Sequence, residues 1–91
     1  MKKLIIFTLN GCDHCISLKN RLITLGFPFV EIEISNNQTI WDQVVEQTGH
    51  NLLPTLYITE DNSDEGMVFV PGRDHKNEDE AILIVEKYIT K

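Results

Sequence analysis

The sequence predicts an α/β protein with elements in the order β-α-β-α-β-β-α, a four-stranded mixed sheet flanked by three helices. Three observations support this. Short runs of β-branched and aromatic residues alternate with segments whose apolar residues recur every three or four positions. The last two strand-like runs follow each other without a helix, as in a hairpin. The 91 residues suffice for one core only, so we expect residues 1–91 to form a single domain.

The first strand and helix are predicted from residues 3–26. Residues 3–8, KLIIFT, are β-branched and aromatic, and the turn-forming pair Asn10-Gly11 follows them. From Asp13 the apolar residues recur at helical spacing until Gly26 supplies a C-terminal cap, which predicts a helix of about 13 residues. The expected buried stripe consists of Cys15, Leu18, Leu22 and Leu25, widened by Ile16 and Ile23.

The second strand is predicted from residues 27–34, FPFVEIEI, where apolar and acidic side chains alternate. Such alternation indicates a strand with one face in water and with Val30, Ile32 and Ile34 on the other face. Right-handed crossovers make this strand parallel to the first. The first half of the chain is therefore expected to be a β-α-β unit.

A short helix and a hairpin follow. Thr39 stands three residues before Asp42, which is typical of a capping box, and Gly49 would end this helix. Residues 55–59, TLYIT, and 67–70, MVFV, are strand-like and are joined by a short polar segment. We expect them to add an antiparallel edge to the sheet.

The last helix is predicted to begin after Asn77. This residue precedes Glu80 by three positions, and carboxylates in a first turn suit the positive end of the helix dipole. The apolar face of this helix, which would run to the C-terminus, consists of Ala81, Ile82, Val85 and Ile89. The acidic segment 60–66, EDNSDEG, is expected to be a solvated turn. We interpret four of the aromatic residues as packing residues, namely Phe7, Phe27, Phe29 and Trp41.

Composition and charge argue against several classes of function. Eight Lys and Arg residues against 14 Asp and Glu residues give a net charge of −6, which works against binding to a nucleic-acid backbone. No segment approaches the roughly 18 unbroken apolar residues of a membrane span. The apolar run after the N-terminal lysines is short and lacks a small-residue cleavage site. We therefore expect a soluble, cytoplasmic protein, in which disulfides are usually transient and catalytic.

Cys12 and Cys15 stand three positions apart, between the first strand and the first helix. A thiolate is the attacking species in thiol chemistry, and a helix N-terminus stabilises it through unpaired backbone N–H groups and the dipole. We expect Cys12 to be the nucleophile, and Cys15, one turn further on the buried stripe, to be the resolving thiol. Between them, Asp13 disfavours the thiolate and protonated His14 favours it, so both tune its reactivity.

A zinc site is a competing explanation of the two cysteines. The C-x-x-C spacing is half of such a site, and the histidines at positions 14, 50 and 75 are possible further ligands. A closed structural site normally has a second ligand pair at a similarly tight spacing, and these histidines do not form one. We expect no metal site.

The chain resembles the glutaredoxins, the short form of the thioredoxin fold. The resemblance covers nearly the whole chain and rests on three motifs, namely Cys12 with Cys15, Leu53-Pro54-Thr55 before the third strand, and Gly72 with Asp74 before the last helix. It implies a thioredoxin/glutaredoxin-like fold with a cis proline at Pro54 facing the cysteine pair. The chain departs from the usual motif in having Asp13-His14 between the cysteines and no Lys or Arg in residues 8–10.

The resemblance also implies a glutathione site. Leu53, before Pro54, would pair through its backbone with glutathione or an extended peptide. Asp74 would meet the α-ammonium of glutathione, and Arg73, Lys19 or the helix N-terminus would meet a carboxylate. The alternative is that Asp74 caps the last helix and Arg73 is solvated. No bound cofactor is expected, and glutathione would be a co-substrate.

The function implied is that of a dithiol-disulfide oxidoreductase in electron transport and cell redox homeostasis. Cys12 would attack a mixed disulfide of a protein or of glutathione, Cys15 would displace the substrate, and glutathione would restore the dithiol. Within the same class, the alternative is a hydrogen donor to ribonucleotide reductase, restored by thioredoxin reductase. Outside that class, the competing hypotheses are a non-enzymatic binding module and, as a secondary property, a [2Fe-2S] cluster bridged between two chains through Cys12. We expect a monomer.

Overall fold

A computed structural model of the chain describes residues 2–60 and 66–89. The elements follow the predicted order: β1 (Lys2–Thr8), α1 (Asp13–Leu25), β2 (Val30–Glu33), a short 3₁₀ helix (Ile34–Asn36), α2 (Gln38–Thr48), β3 (Thr55–Glu60), β4 (Gly66–Phe69) and α3 (Glu78–Tyr88). The predicted mixed sheet of four strands with three α-helices is confirmed. No helix within the described ranges has both the length and the hydropathy for a membrane crossing.

The sheet has the strand order β2-β1-β3-β4. β1 lies parallel to β2, with Ile5 opposite Val30, and antiparallel to β3, with Ile5 opposite Tyr57. β3 and β4 are antiparallel, with Leu56 opposite Phe69, so the predicted antiparallel edge is confirmed. The acidic turn expected between these two strands has its residues 61–65 outside the described part of the chain.

Helices cover both faces of the sheet because successive side chains of β1 point to opposite faces. Leu4 and Ile6 belong to the main core, where they pack with buried residues of α1, α3 and the neighbouring strand β3. On the other face Phe7 contacts Trp41 of α2, with ring centroids 5.6 Å apart. The packing roles predicted for Phe7 and Trp41 are therefore confirmed.

α1 has the predicted bounds but a narrower buried face than predicted. Its buried residues are Cys15, Leu18 and Leu22. Ile16 and Ile23 each follow a buried residue by one position, which rotates them about 100° around the helix. Both are exposed, Ile23 to 66%, and so is the expected stripe member Leu25, so placing these three in the stripe was wrong.

β2 is shorter and more exposed than predicted. The carboxylate of Glu33 accepts hydrogen bonds from the backbone N–H groups of Ser35 and Asn36, which starts the 3₁₀ helix and ends the strand. Ile34 therefore lies in the 3₁₀ helix, and Val30 is 42% exposed on an edge strand. The predicted apolar face of this strand was wrong at both of these positions.

α2 begins one residue before the predicted capping residue. Asn37 is the N-cap residue, and its side chain makes no cap hydrogen bond. Gln38 Nε2 donates instead to Asp42 Oδ1 at 2.8 Å. The predicted capping box from Thr39 to Asp42 is wrong, because the preceding 3₁₀ helix already turns the chain into α2. Gly49 closes the helix as predicted.

α3 begins as predicted. Asn77 Oδ1 accepts the backbone N–H of Glu80 at 2.9 Å, and Glu80 Oε1 accepts the backbone N–H of Lys76 at 2.7 Å. Glu78, Asp79 and Glu80 form the acidic first turn. This cap determines the residue at which α3 begins, and the N-terminus of α3 lies at the candidate site.

Candidate active site

The loop between β1 and α1 places Cys12 at the N-terminus of α1. Gly11 has φ +88°, a left-handed conformation that a side chain would strain. The backbone N–H of Cys12 donates to the carbonyl of Leu9 at 3.0 Å. Cys12 is the N-cap residue, and its Sγ accepts the backbone N–H of Cys15 at 3.3 Å. The predicted position of Cys12 at a helix N-terminus is confirmed, and such a position favours a thiolate.

Cys15 is the buried member of the pair. Both cysteines are free thiols, Cys12 is half-buried, and Cys15 is only 1% exposed. Burial, together with a hydrogen bond to Cys12, raises the pKa of the Cys15 thiol to about 12, although the backbone of Leu9 and the charge of Lys19 act in the opposite direction. At neutral pH Cys15 therefore keeps its proton. The site holds one accessible sulfur and one protonated sulfur behind it.

Asp13 and His14, the residues between the cysteines, form the first turn of α1 and are exposed. The His14 side chain is 76% exposed, and its Nδ1 donates to Glu78 Oε1 of α3 at 2.8 Å. This hydrogen bond lowers the pKa of the Glu78 carboxyl. The structure thus pairs His14 with α3, and the influence of Asp13 and His14 on Cys12 stays a prediction.

A cavity of about 140 Å³ lies between the first turn of α1, the loop before β3 and the start of α3. The Leu53-Pro54 peptide bond is cis, as the resemblance implied. The cavity is lined by His14, Leu53, Pro54, Pro71, His75, Lys76, Asn77, Glu78 and Ala81. Leu53 and Pro54 are thus brought together with the turn that carries the cysteines, whereas their contact with a substrate stays a prediction.

Arg73 and Asp74 are bonded within the loop between β4 and α3. Asp74 Oδ2 accepts the backbone N–H of Val70 at 2.8 Å and Arg73 Nε at 2.9 Å. Arg73 Nη2 also donates to the carbonyl of Val68 at 2.9 Å. Although burial opposes them, these contacts hold the pKa of the Asp74 carboxyl below its usual range. Since Asn77 is the helix cap, the alternative in which Asp74 caps the last helix is wrong, whereas Arg73 is exposed.

A second polar group lies on the other side of the Cys12 loop. Glu31 Oε2 of β2 accepts hydrogen bonds from Lys19 Nζ of α1 at 2.7 Å and from Thr8 Oγ1 of β1 at 2.6 Å. Both bonds lower the pKa of Glu31. Lys19 and Glu31 line a cleft of about 390 Å³ together with Gly11 and Ile16. Sequence reasoning missed this group because its members lie on three elements, and only strand register brings them together.

Within residues 2–60 and 66–89, no three His, Cys, Asp or Glu side chains lie close enough together to bind a metal ion. His75 is buried beside the 140 Å³ cavity, and burial lowers its pKa, so that its ring is neutral at pH 7. Within these ranges His75 and His14 form no group of three metal-ligating side chains with the cysteines.

The family model that matches the chain is described as Glutaredoxin and covers residues 4–62. The chain belongs to the glutaredoxin family. A curated relative, the N-acetyl-S-hydroxy-L-cysteine reductase of Bacillus subtilis, is 28% identical to this glutaredoxin-family protein over 72 residues. The matched region covers 79% of the chain and 76% of the relative.

Solved structures share the fold of this glutaredoxin-family protein at low sequence identity. A buckwheat glutaredoxin in complex with glutathione matches with a TM-score of 0.59 and 19% identity, covering 94% of this chain and 70% of that chain. A thioredoxin of Fasciola hepatica matches with a TM-score of 0.64 and 13% identity, covering 96% and 80%. The thioredoxin-like fold implied by the three motifs is confirmed. Family, relative and cysteine geometry together identify a thiol oxidoreductase.

Proposed function

We propose that the protein is a dithiol-disulfide oxidoreductase that reduces mixed disulfides of proteins or of glutathione and is restored by glutathione. The arrangement of the two thiols carries this proposal. Cys12 is accessible at the start of α1, and the buried Cys15 lies behind it with its backbone N–H on Cys12 Sγ at 3.3 Å. We also propose that the protein acts as a monomer in the cytoplasm, a compartment in which thiols are kept reduced.

The proposed cycle has two thiol-disulfide exchanges. The Cys12 thiolate attacks one sulfur of a substrate disulfide, so that a Cys12 mixed disulfide forms and the other sulfur leaves as a thiolate. Cys15 then loses its proton and attacks Cys12 Sγ, which forms the Cys12-Cys15 disulfide and releases the second substrate thiolate. The released thiolates take up protons from water. Two glutathione molecules return two electrons and become glutathione disulfide.

The cavity beside His14, Leu53 and Pro54 supports binding of the group attached to the substrate sulfur. In the proposed complex, the backbone of Leu53 pairs with the main chain of glutathione or of a peptide. Arg73 and Asp74 meet a carboxylate and the α-ammonium, which requires them to exchange their present ion pair for the ligand. The glutathione bound to the buckwheat glutaredoxin supports the choice of this ligand.

A second candidate substrate is the sulfenic acid of a small thiol. It is favoured by the relative from Bacillus subtilis, whose name describes the reduction of N-acetyl-S-hydroxy-L-cysteine. The same residues suffice, because attack of the Cys12 thiolate on a sulfenic sulfur forms the mixed disulfide and releases hydroxide. Cys15 would then release N-acetylcysteine by the exchange already described.

Coupled assays test the proposed function. Reduction of a glutathionylated peptide is measured with glutathione and glutathione reductase, and separately with thioredoxin reductase, each with NADPH. We expect turnover with glutathione, no turnover for Cys12→Ser, and accumulation of the Cys12 mixed disulfide for Cys15→Ser in the absence of glutathione. Ser17→Ala, on the exposed face of α1, is the matched control.

Three results would contradict the proposal. Turnover only with thioredoxin reductase would remove glutathione as the reductant and favour the hydrogen-donor alternative. Turnover by Cys12→Ser at the wild-type rate would remove Cys12 as the nucleophile. Faster reduction of N-acetylcysteine sulfenic acid, generated in situ, than of the glutathionylated peptide would favour the second candidate.

A further inference from the structure

The second exchange of the proposed cycle requires a thiolate at a buried position. Cys15 is 1% exposed, and burial in low dielectric disfavours the charged form of a thiol. Its pKa of about 12 leaves very little thiolate at neutral pH. The release of substrate therefore depends on what surrounds Cys15 when it ionises.

Lys19 lies one helical turn after Cys15 on α1, on the same side of the helix. Side chains four positions apart in a helix have β-carbons roughly 6 Å apart. The Lys19 side chain is only 27% exposed, and its Nζ is held by Glu31 Oε2 at 2.7 Å. The ammonium is therefore held at Glu31, from where its charge favours ionisation of Cys15.

The anchor of Lys19 is itself fixed. Glu31 Oε2 also accepts a hydrogen bond from Thr8 Oγ1 at 2.6 Å, and Thr8 is buried at the end of the central strand β1. The carboxylate thus bridges two strands and the helix that carries both cysteines. The hydrogen bond from Lys19 and, after it, the hydrogen bond from Thr8 lower the pKa of the Glu31 carboxyl. Glu31 is therefore ionised at neutral pH and keeps both hydrogen bonds.

We propose that Lys19 is a positioning residue for the second exchange: its ammonium, held by the Glu31 carboxylate to which Thr8 also donates, stabilises the Cys15 thiolate that displaces the substrate. This role rests on the proposed function, because it concerns the release step of that cycle. Glu31 accepts hydrogen bonds from Lys19 and Thr8 and neutralises part of the charge of Lys19. In this proposal Glu31 acts on Cys15 indirectly, because it determines where the Lys19 ammonium lies.

The groups that act on Cys15 change between the two exchanges. In the free dithiol the Cys12 sulfur opposes ionisation of Cys15, both through their hydrogen bond and through its charge, whereas the backbone of Leu9 and the charge of Lys19 favour it. In the mixed disulfide the Cys12 sulfur is covalently bound and neutral. The repulsion from Cys12 is then gone, while the opposite charge of Lys19 remains.

The proposed step is balanced. The Cys15 proton leaves to water, the Cys15 thiolate forms a bond to Cys12 Sγ, and the bond from Cys12 Sγ to the substrate sulfur breaks. The substrate sulfur takes the electron pair, departs as a thiolate and takes up a proton from water. Lys19 keeps its proton throughout, because its role is electrostatic.

Rapid mixing separates the two exchanges. The full-length dithiol protein is mixed with a glutathionylated peptide without free glutathione, quenched with acid, and analysed by mass spectrometry for the Cys12 mixed disulfide. For Lys19→Met we expect formation of this species at the wild-type rate and decay about threefold more slowly at pH 7, because a nearby opposite charge that is partly exposed has a modest effect. The pH profile of the decay should move to higher pH.

Two variants serve as controls. Lys19→Arg keeps the charge and should restore a decay rate close to that of the wild type. Lys3→Met removes an exposed charge of β1 and should change neither rate. Thermal unfolding of each variant shows whether it is folded, and a loss of stability alone would not move the pH profile of the decay.

The outcomes are distinct. Unchanged decay in a folded Lys19→Met variant would overturn the role of Lys19, and so would an equal slowing of formation and decay, which would place its effect on Cys12 or on substrate binding. If Lys19→Met were to fail to fold, Lys19→Gln, which removes the charge but keeps an N–H donor beside Glu31, should slow the decay in the same direction, and unchanged decay there would overturn the proposal. A wild-type protein that forms no Cys12 mixed disulfide would overturn the proposed function itself.

Discussion

At the scale of single residues, the two side chains expected to bind glutathione at the last loop are already bonded within the protein. Asp74 accepts hydrogen bonds from Val70 and Arg73, and Arg73 donates to the carbonyl of Val68. The sequence motif of Gly72 with Asp74 located these residues before the last helix. It could not show their mutual ion pair, because contacts across a loop depend on backbone conformation that a residue pattern does not specify.

The bonds of Asp74 predict a structural effect that is separate from ligand binding. Asp74→Ala leaves the buried backbone N–H of Val70 without its acceptor, so the free energy of unfolding should fall by about 1–3 kcal/mol. Urea denaturation monitored by circular dichroism measures this change. Asp79→Ala is the matched control, since its ion pair with Arg21 is at the surface and contributes less than about 1 kcal/mol. Equal losses in the two variants would contradict the prediction.

At the scale of elements, α1 and α3 are joined by a hydrogen bond from His14 to Glu78 at 2.8 Å and by an ion pair of Arg21 with Asp79 at 2.5 Å. The bounds of α1 and the start of α3 could be predicted because caps such as Gly26 are local in the chain. The link from His14 to Glu78 could not, because it joins residues 64 positions apart. The start of α2 was mispredicted because the preceding 3₁₀ helix leaves no distinct sequence signal.

The link between α1 and α3 predicts a dependence of stability on pH. Because the hydrogen bond from His14 lowers the pKa of Glu78 in the folded protein, ionised Glu78 stabilises the fold. This contribution is complete above the unfolded-state pKa of a glutamate, about 4.3, and is lost as pH falls through the lower pKa of the folded state.

NMR titration of the Glu78 carboxyl measures this effect. In His14→Ala the pKa of Glu78 should rise towards its ordinary value, and the stability difference between wild type and His14→Ala should shrink as the solution is acidified. His50→Ala, which changes a side chain in the loop after α2 and leaves the hydrogen bond from His14 intact, should leave the titration of Glu78 unchanged. An unaltered Glu78 titration in His14→Ala would show that another group stabilises its charge.

At the scale of the whole molecule, the main core lies between the sheet and the helices α1 and α3. Apolar periodicity predicted its central members, because a fully buried position requires an apolar side chain wherever its element lies. Periodicity failed at Val30 and Ile23, since it does not reveal which strand is at the edge or how wide the buried face of a helix is. Strand order and helix packing decide those two properties.

Two neighbouring residues of α1 test this division between core and surface. Leu22 is fully buried in the main core, so Leu22→Ala should lower the free energy of unfolding by about 2–5 kcal/mol. Ile23→Ala removes an aliphatic group of the same size from an exposed position and should change it by no more than about 0.5 kcal/mol. Chemical denaturation of both variants measures the difference. Comparable losses would mean that Ile23 is covered in solution.

The central place of β1 in the sheet has a consequence for the newly made chain. β1 pairs with β3, and the register joins Lys2 to Glu60, so residues 2–60 must all leave the ribosome before this pairing is complete. During that time the apolar run of β1 has an open edge on which another strand can pair. Contacts so distant in sequence form slowly, and open apolar edges favour aggregation. The strand that leads into the Cys12 loop is therefore the part of the nascent polypeptide that we expect to be exposed to aggregation while β3 is still being made.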